Sequence, residues 1–218
     1  MRYYIESDGK VFLVSREGTL DLPRKAEVPF PLQEIAPLAT STPVIFCTPK
    51  LEKHPREWLG KDEIIGLPGV APLVREAVHA GMPRVVVEGV CLKGSNVLLV
   101  KGSRGLTKGR WSLPGGFLRF GETPREGLLR ELREELDVEA QITGLLDVKA
   151  KLGKKSRLHW TMVFYRISLF GEPAPNPDEI MAAEYFPLPR AQELLFDDLM
   201  REVIASHLDA FKATEGPC

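Results

Sequence analysis

GGFLRFGETPREGLLRELREELDV, residues 115–138, is the stretch on which the fold turns. Thr123 stands where a helix cap belongs, and Glu126 follows three residues later to return the bond. Pro124 takes the first helical position, where a missing amide costs nothing. The spacing from there predicts a helix from Pro124 to Leu136. At ~100° per residue, Leu128, Leu129, Leu132 and Leu136 share an arc of about 100° and make a buried stripe. Glu131, Glu134 and Glu135 share a second arc of about 100° directly beside it. Three carboxylates are thereby lined up along the rim of a core.

That arrangement is unfavourable by itself. Like charges three and four residues apart cost on the order of 0.2–0.5 kcal/mol each, and more when partly desolvated. These also lie toward the helix end, where the dipole disfavours anions. Arg130 reaches Glu134 at i,i+4, but one guanidinium does not neutralise three carboxylates. A hard divalent cation does, and a cluster of oxygen ligands without His or Cys selects Mg²⁺ or Mn²⁺ over zinc. Glutamate and arginine also mix on plain solvated helix faces. The preceding loop decides between the two: Pro114-Gly115-Gly116 lets backbone come close to a ligand or to the helix, and Glu122 adds a carboxylate just before the cap.

Outward from the helix the pattern is mostly strand. RVVVEGVCL (84–92) and NVLLV (96–100) flank Lys93-Gly94-Ser95, a hairpin signature, and a basic glycine-containing loop follows from Lys101 to Arg110. Beyond the helix come AQITGLLDVKAKL (140–152), LHWTMVFYRISLF (158–170) and AAEYFPL (182–188), then helical pattern from Arg190 toward Phe211. Strands on both sides of a central helix, without regular βαβ alternation, predict an α/β sandwich with a mixed sheet. The texture changes near residue 82. Before it, RYYIE, KVFLV and TLDLP alternate around Ser7-Asp8-Gly9 and Arg16-Glu17-Gly18 as a small antiparallel meander. A proline-rich stretch follows, with the apolar runs VIFC and EIIGL. A short helix then carries Leu73, Val74, Ala77 and Val78 and stops at Gly81-Met82-Pro83. We divide the chain into an N-terminal mixed α/β accessory domain, 1–82, and a main domain, 83–214.

Composition excludes several classes. The 218 residues carry 29 basic and 30 acidic side chains, a net charge of −1, which argues against nucleic-acid or membrane-surface partners recruited by bulk charge. No apolar run approaches ~18 residues and the start, MRYYIESDGK, lacks a signal segment, so a cytoplasmic protein is expected. Cys47, Cys91 and Cys218 are far apart, and His54, His79, His159 and His207 show no HxxxH spacing. Neither a disulfide framework nor a thiolate zinc site is expected.

The segment resembles the Nudix box: a glycine, five residues, a glutamate, seven residues, then Arg-Glu-aliphatic-any-Glu-Glu-any-glycine-aliphatic. Gly116, Glu122, Arg130, Glu131, Leu132, Glu134, Glu135 and Val138 stand at those positions, and Asp137 replaces the last glycine. Asp tolerates the left-handed helix terminus that this glycine supplies better than most residues do. The flanks Trp111-Ser112-Leu113-Pro114, Glu179-Ile180 and Tyr185-Phe186-Pro187-Leu188 extend the likeness from about 84 to 200.

The resemblance implies a Nudix-type α/β/α sandwich and a hydrolase that cleaves the pyrophosphate of a small nucleoside diphosphate derivative. ADP-ribose, a nucleotide sugar, a dinucleotide and a modified nucleoside triphosphate are the substrates in view. It implies Glu131, Glu134 and Glu135 as metal ligands with the Gly115 carbonyl, and Arg130 as the residue orienting them. Glu122 is then an outer ligand or, as we favour, a structural partner of Arg130. The general base is a box glutamate or one of Glu172, Asp178 and Glu179, of which Glu179 is our choice. Lys101, Arg104, Lys108 and Arg110 are candidates for phosphate binding; Lys149, Lys151, Lys154, Lys155 and Arg157 fit a solvated hairpin tip better. Trp111 fits core packing, whereas Phe117, Phe120 and Trp160 are possible base platforms. A homodimer is expected. The alternative is a Nudix-type nucleotide sensor acting through residues 1–82.

Overall fold

A computed structural model describes residues 1–52, 55–154 and 156–207. His54, Lys155 and Cys218, and the chain beyond 207 over which a helix was expected to run to Phe211 and the main domain to 214, lie outside the described residues. Two compact units are present: Met1–Pro83 with Lys151–Trp160, and Arg84–Ala150 with the described residues from Thr161 on.

The first unit contains β1 (Arg2–Ser7), β2 (Lys10–Val11), β3 (Val14–Arg16), β4 (Thr19–Asp21), β5 (Leu32–Pro37), β6 (Val44–Pro49), β7 (Leu59–Gly60), α1 (Lys61–Gly66) and α2 (Pro72–Gly81). Asp8-Gly9 and Glu17-Gly18 both have positive φ, the turn geometry that joins antiparallel strands at two residues. KVFLV, expected as one strand, is divided: β2 pairs with β1, while β3 leaves to form a separate ladder with β4. Of the expected meander, β1 and β2 belong to a mixed five-stranded sheet, β5-β6-β1-β2-β7, in which β1 runs parallel to β6. Strand alternation separates the two faces. Tyr4 and Val44 join Val74, Ala77 and Val78 of α2 in one core, while Tyr3, Ile5 and Cys47 gather the aromatic group Phe12, Phe30 and Trp58. EIIGL falls mostly in α1, since a short apolar run does not distinguish strand from helix.

The second unit is built on β8 (Arg84–Lys93), β9 (Asn96–Gly102), β10 (Trp111–Ser112), β11 (Gly115–Phe117), α3 (Pro124–Leu136), β12 (Ala140–Leu152), β13 (His159–Leu169), β14 (Ile180–Pro187), α4 (Leu188–Leu194) and α5 (Asp198–Ser206). The sheet runs β10-β9-β8-β13-β12, with β11 also on β8 and β14 also on β9. Leu128, Leu132 and Leu136 of α3 are fully buried against Val87, Leu98, Val100, Val163 and Tyr165. Val97 and Leu99 alternate with Leu98 and Val100 along β9 and are buried outside that cluster, and α4 packs on β9 and β14. The mixed α/β fold with helices on the sheet's faces is the one expected. The last helical stretch is split, with Asp197 capping α5 through the Leu199 amide at 2.9 Å. Among the described residues, no helix is long and apolar enough to cross a membrane.

Helix α3 begins and ends as its sequence predicts. Thr123 and Glu126 form the reciprocal capping box, and Asp137 closes the helix at φ 47°, ψ 42°. Glycine reaches that left-handed conformation without steric cost, so Asp137→Gly should stabilise the fold by about 0.5–1 kcal/mol. Urea unfolding checks this: a midpoint that stays or falls contradicts it.

Candidate active site

The site assembles along one edge of α3, facing the loop 113–122. Gly115 pairs with Glu88 and Gly116 with Val87 across the β8–β11 ladder. Two glycines are needed here for different reasons. Gly115 has φ +145°, and a Cβ there would collide with the carbonyl oxygen of Val87, so strand and loop touch as backbone on backbone. A Cβ on Gly116 would stand 2.6 Å from the carboxyl carbon of Glu131. The bare backbone of Gly116 therefore makes room for that carboxylate.

Arg130 is the hub. Only 14% of its side chain is exposed, and its guanidinium donates five hydrogen bonds. Nε and Nη2 hold the two oxygens of Glu122 at 2.6 and 2.9 Å, Nη1 holds Glu131 at 2.8 Å and Glu134 at 2.9 Å, and Nη2 also reaches the Phe117 carbonyl at 2.9 Å. Glu122 thus pairs with Arg130, the alternative favoured over an outer ligand on the family resemblance. Arg130, hydrogen-bonded to Glu122 above all, is held firmly protonated. The same pairing draws Glu122 down to about 2.

The three box glutamates differ in surroundings. Glu135 accepts the Gly115 amide at 3.1 Å. Desolvation, which that bond only partly offsets, and the charges of Glu131, Glu179 and Glu134 push its pKa up to about 8. Glu131 is raised too, by desolvation first, with Arg130 opposing. Glu134 is the most open, 36% exposed, with Arg119 on Oε1 at 2.8 Å and Arg130 on Oε2. Glu179, just before β14, lies within electrostatic reach of both Glu131 and Glu135. Four carboxylates therefore share one field, with arginines as the cations among them.

Among the described residues, no three His, Cys, Asp or Glu side chains stand gathered as metal ligands. The donor set still has the chemistry of a hard-cation site: it is all oxygen, mutually repulsive and open on the Glu134 side. What keeps it apart is visible, since the arginines hold Glu131 and Glu134 and the Gly115 amide holds Glu135.

Of the basic residues singled out before the box, the structure brings Arg104 to the site, paired with Glu179. Lys101 lies over the Trp111 ring at 5.8 Å and Arg110 over Phe196 at 5.8 Å, while Lys108 is exposed beside the short turn 105–107. Trp111 packs edge-on against Phe186 with centroids 4.9 Å apart. Phe117 and Phe120 are exposed, and Trp160 donates to Ser156 in the hairpin tip. In that tip's basic group, Lys149 pairs with Asp147 and Glu202. Two participants went unnoticed in the sequence. Arg119 has no periodic neighbour to mark it. Asn176, whose amide groups bond the Glu134 and Glu135 carbonyls at 3.0 and 2.9 Å, sits in a loop forty residues away.

The NUDIX domain family matches residues 82–206. An ADP-ribose pyrophosphatase of Methanocaldococcus jannaschii is 32% identical over 115 residues, 53% of this chain and 68% of that protein. An 8-oxo-dGTP diphosphatase of Proteus vulgaris is 39% identical over 62 residues, 28% of this chain and 55% of its own length. The crystal structure of a MutT NUDIX hydrolase from Burkholderia pseudomallei superimposes with a TM-score of 0.51 at 27% identity, covering 57% of this chain and 97% of the other.

Proposed function

Since the chain belongs to the NUDIX family, we propose that it is a hydrolase that uses Mg²⁺ or Mn²⁺ to cleave the pyrophosphate bond of a small nucleoside diphosphate derivative. ADP-ribose is the first substrate to try, because the Methanocaldococcus jannaschii relative is named for it. The observation that carries the proposal is the convergence of Glu131, Glu134, Glu135 and Glu179 in one field, a cost that a simple nucleotide binder has no reason to retain.

Glu131, Glu134 and Glu135, with the Gly115 carbonyl, would hold the cation, which when bound neutralises the phosphates and acidifies a water. Arg130, itself fixed by Glu122 and the Phe117 carbonyl, positions the Glu131 and Glu134 carboxylates. Glu179 accepts the proton of the attacking water, and its pairing with Arg104 orients it. Arg104, with Lys101, Lys108 and Arg110 in the same loop, serves the substrate's phosphates. Residues 83–214 carry this chemistry. Residues 1–82 serve substrate choice or the association of a cytoplasmic homodimer.

A nucleotide panel with Mg²⁺ and resolved phosphate products tests the activity, and Glu134→Gln tests the site. Loss of a ligand should exceed the 10–100-fold loss typical of residues behind a metal's ligands. We therefore expect a fall in kcat of more than about 100-fold. Turnover within tenfold of the parent would remove Glu134 from the site.

A further inference from the structure

Arg119 and Arg130 both hold Glu134, but they are built differently. Arg130 is enclosed and fixed by five hydrogen bonds. Arg119 is 61% exposed and reaches Glu134 through one ion pair at 2.8 Å. Its backbone is anchored, because the Arg119 amide donates to Glu122 Oε2 at 2.8 Å, the same carboxylate that grips Arg130. An anchored pivot thus carries a loosely held arm. Exposed pairs of this kind contribute only ~0.2–1 kcal/mol, so an ion competing for Glu134 Oε1 displaces Arg119 well before it displaces Arg130.

We propose that Arg119 is a latch on Glu134: it occupies Oε1 in the metal-free protein, leaves when a divalent cation binds, and then pairs with a phosphate of the substrate on the same rim. This rests on the function proposed above. On this reading, one oxygen of Glu134 is given up by an arginine before it can ligate. The displaced guanidinium keeps its anchor beside Glu122, and its planar fork matches a phosphate's oxygens.

The experiment is Mn²⁺ binding to the full chain without substrate, followed by electron paramagnetic resonance, for the parent, Arg119→Ala and Arg125→Ala. Arg125→Ala removes one positive charge from the first turn of α3 and controls for the general loss of repulsion. Removing the competing pair should tighten Mn²⁺ binding by Arg119→Ala about two- to fivefold, with a smaller change for Arg125→Ala. In turnover, Arg119→Ala should raise KM about tenfold or more while kcat stays within about threefold. Unchanged or weaker Mn²⁺ binding by Arg119→Ala, or a gain matched by Arg125→Ala, overturns the latch. An unchanged KM overturns the phosphate contact. A parent protein that binds no Mn²⁺ overturns the metal-dependent function, and the latch with it, which separates that failure from the others.

Discussion

Glu135→Gln should melt higher than the parent protein at pH 8 without metal, while its turnover is lost. Glu135 keeps its proton to about pH 8 in the fold, against an ordinary carboxylate value of 4.5. The sign follows from linkage. Below about pH 4.5 the group is protonated folded and unfolded, and it has no effect. Between 4.5 and 8 the unfolded chain releases the proton while the fold retains it, so stability declines as pH rises; above 8 the penalty is complete. Glutamine is spared that penalty and still accepts the Gly115 amide. With several kcal/mol at stake, the midpoint should rise by roughly 5–10 °C at pH 8. The gain should vanish near pH 4. Melts across this range, made in chelator, decide the matter; equal midpoints at pH 8 would show that Glu135 is not charged at a cost.

Gly115→Ala should be the most damaging small substitution in the second unit. Its φ of +145° strains any side chain, and the obstacle is the Val87 carbonyl, which cannot retreat without opening the β8–β11 ladder. Strain at such a position is worth ~1–3 kcal/mol, and loss of the ladder adds to it. A destabilisation of at least ~3 kcal/mol is expected in urea. Gly116→Ala gives the contrast. There the obstacle is the end of the Glu131 side chain, which can turn away. Stability should suffer less and catalysis more. Should the two variants unfold alike, the distinction between a backbone and a side-chain obstacle is wrong.

The sequence is most legible where the determinants are local. Thr123, Pro124 and Glu126 announce the start of α3, and the four leucines mark its buried face, because cap chemistry and helical period are short-range properties. The acidic rim could be read for the same reason. KVFLV could not, since the division between β2 and β3 depends on which distant strand each half meets. The parallel pairing of β1 with β6 likewise joins segments some forty residues apart. In the site, Glu122 and Arg130 were legible as a motif, but Arg119 was not: a single arginine in a loop is indistinguishable from a solvated one until its partner is known. Lys101 and Arg110 show a related limit: their charges were legible in the sequence, but their places over the Trp111 and Phe196 rings were not.

Arg130 joins the loop ahead of α3 to two successive turns of that helix through a single delocalised charge. The energies of Glu122, Glu131 and Glu134 are consequently not separable quantities, since each competes with the others for the same five N–H groups. Lysine would be a poor understudy: it carries the charge, but its three protons radiate from one nitrogen and cannot reach acceptors spread around the edge of a plane. Planarity, more than positive charge, is what this position demands.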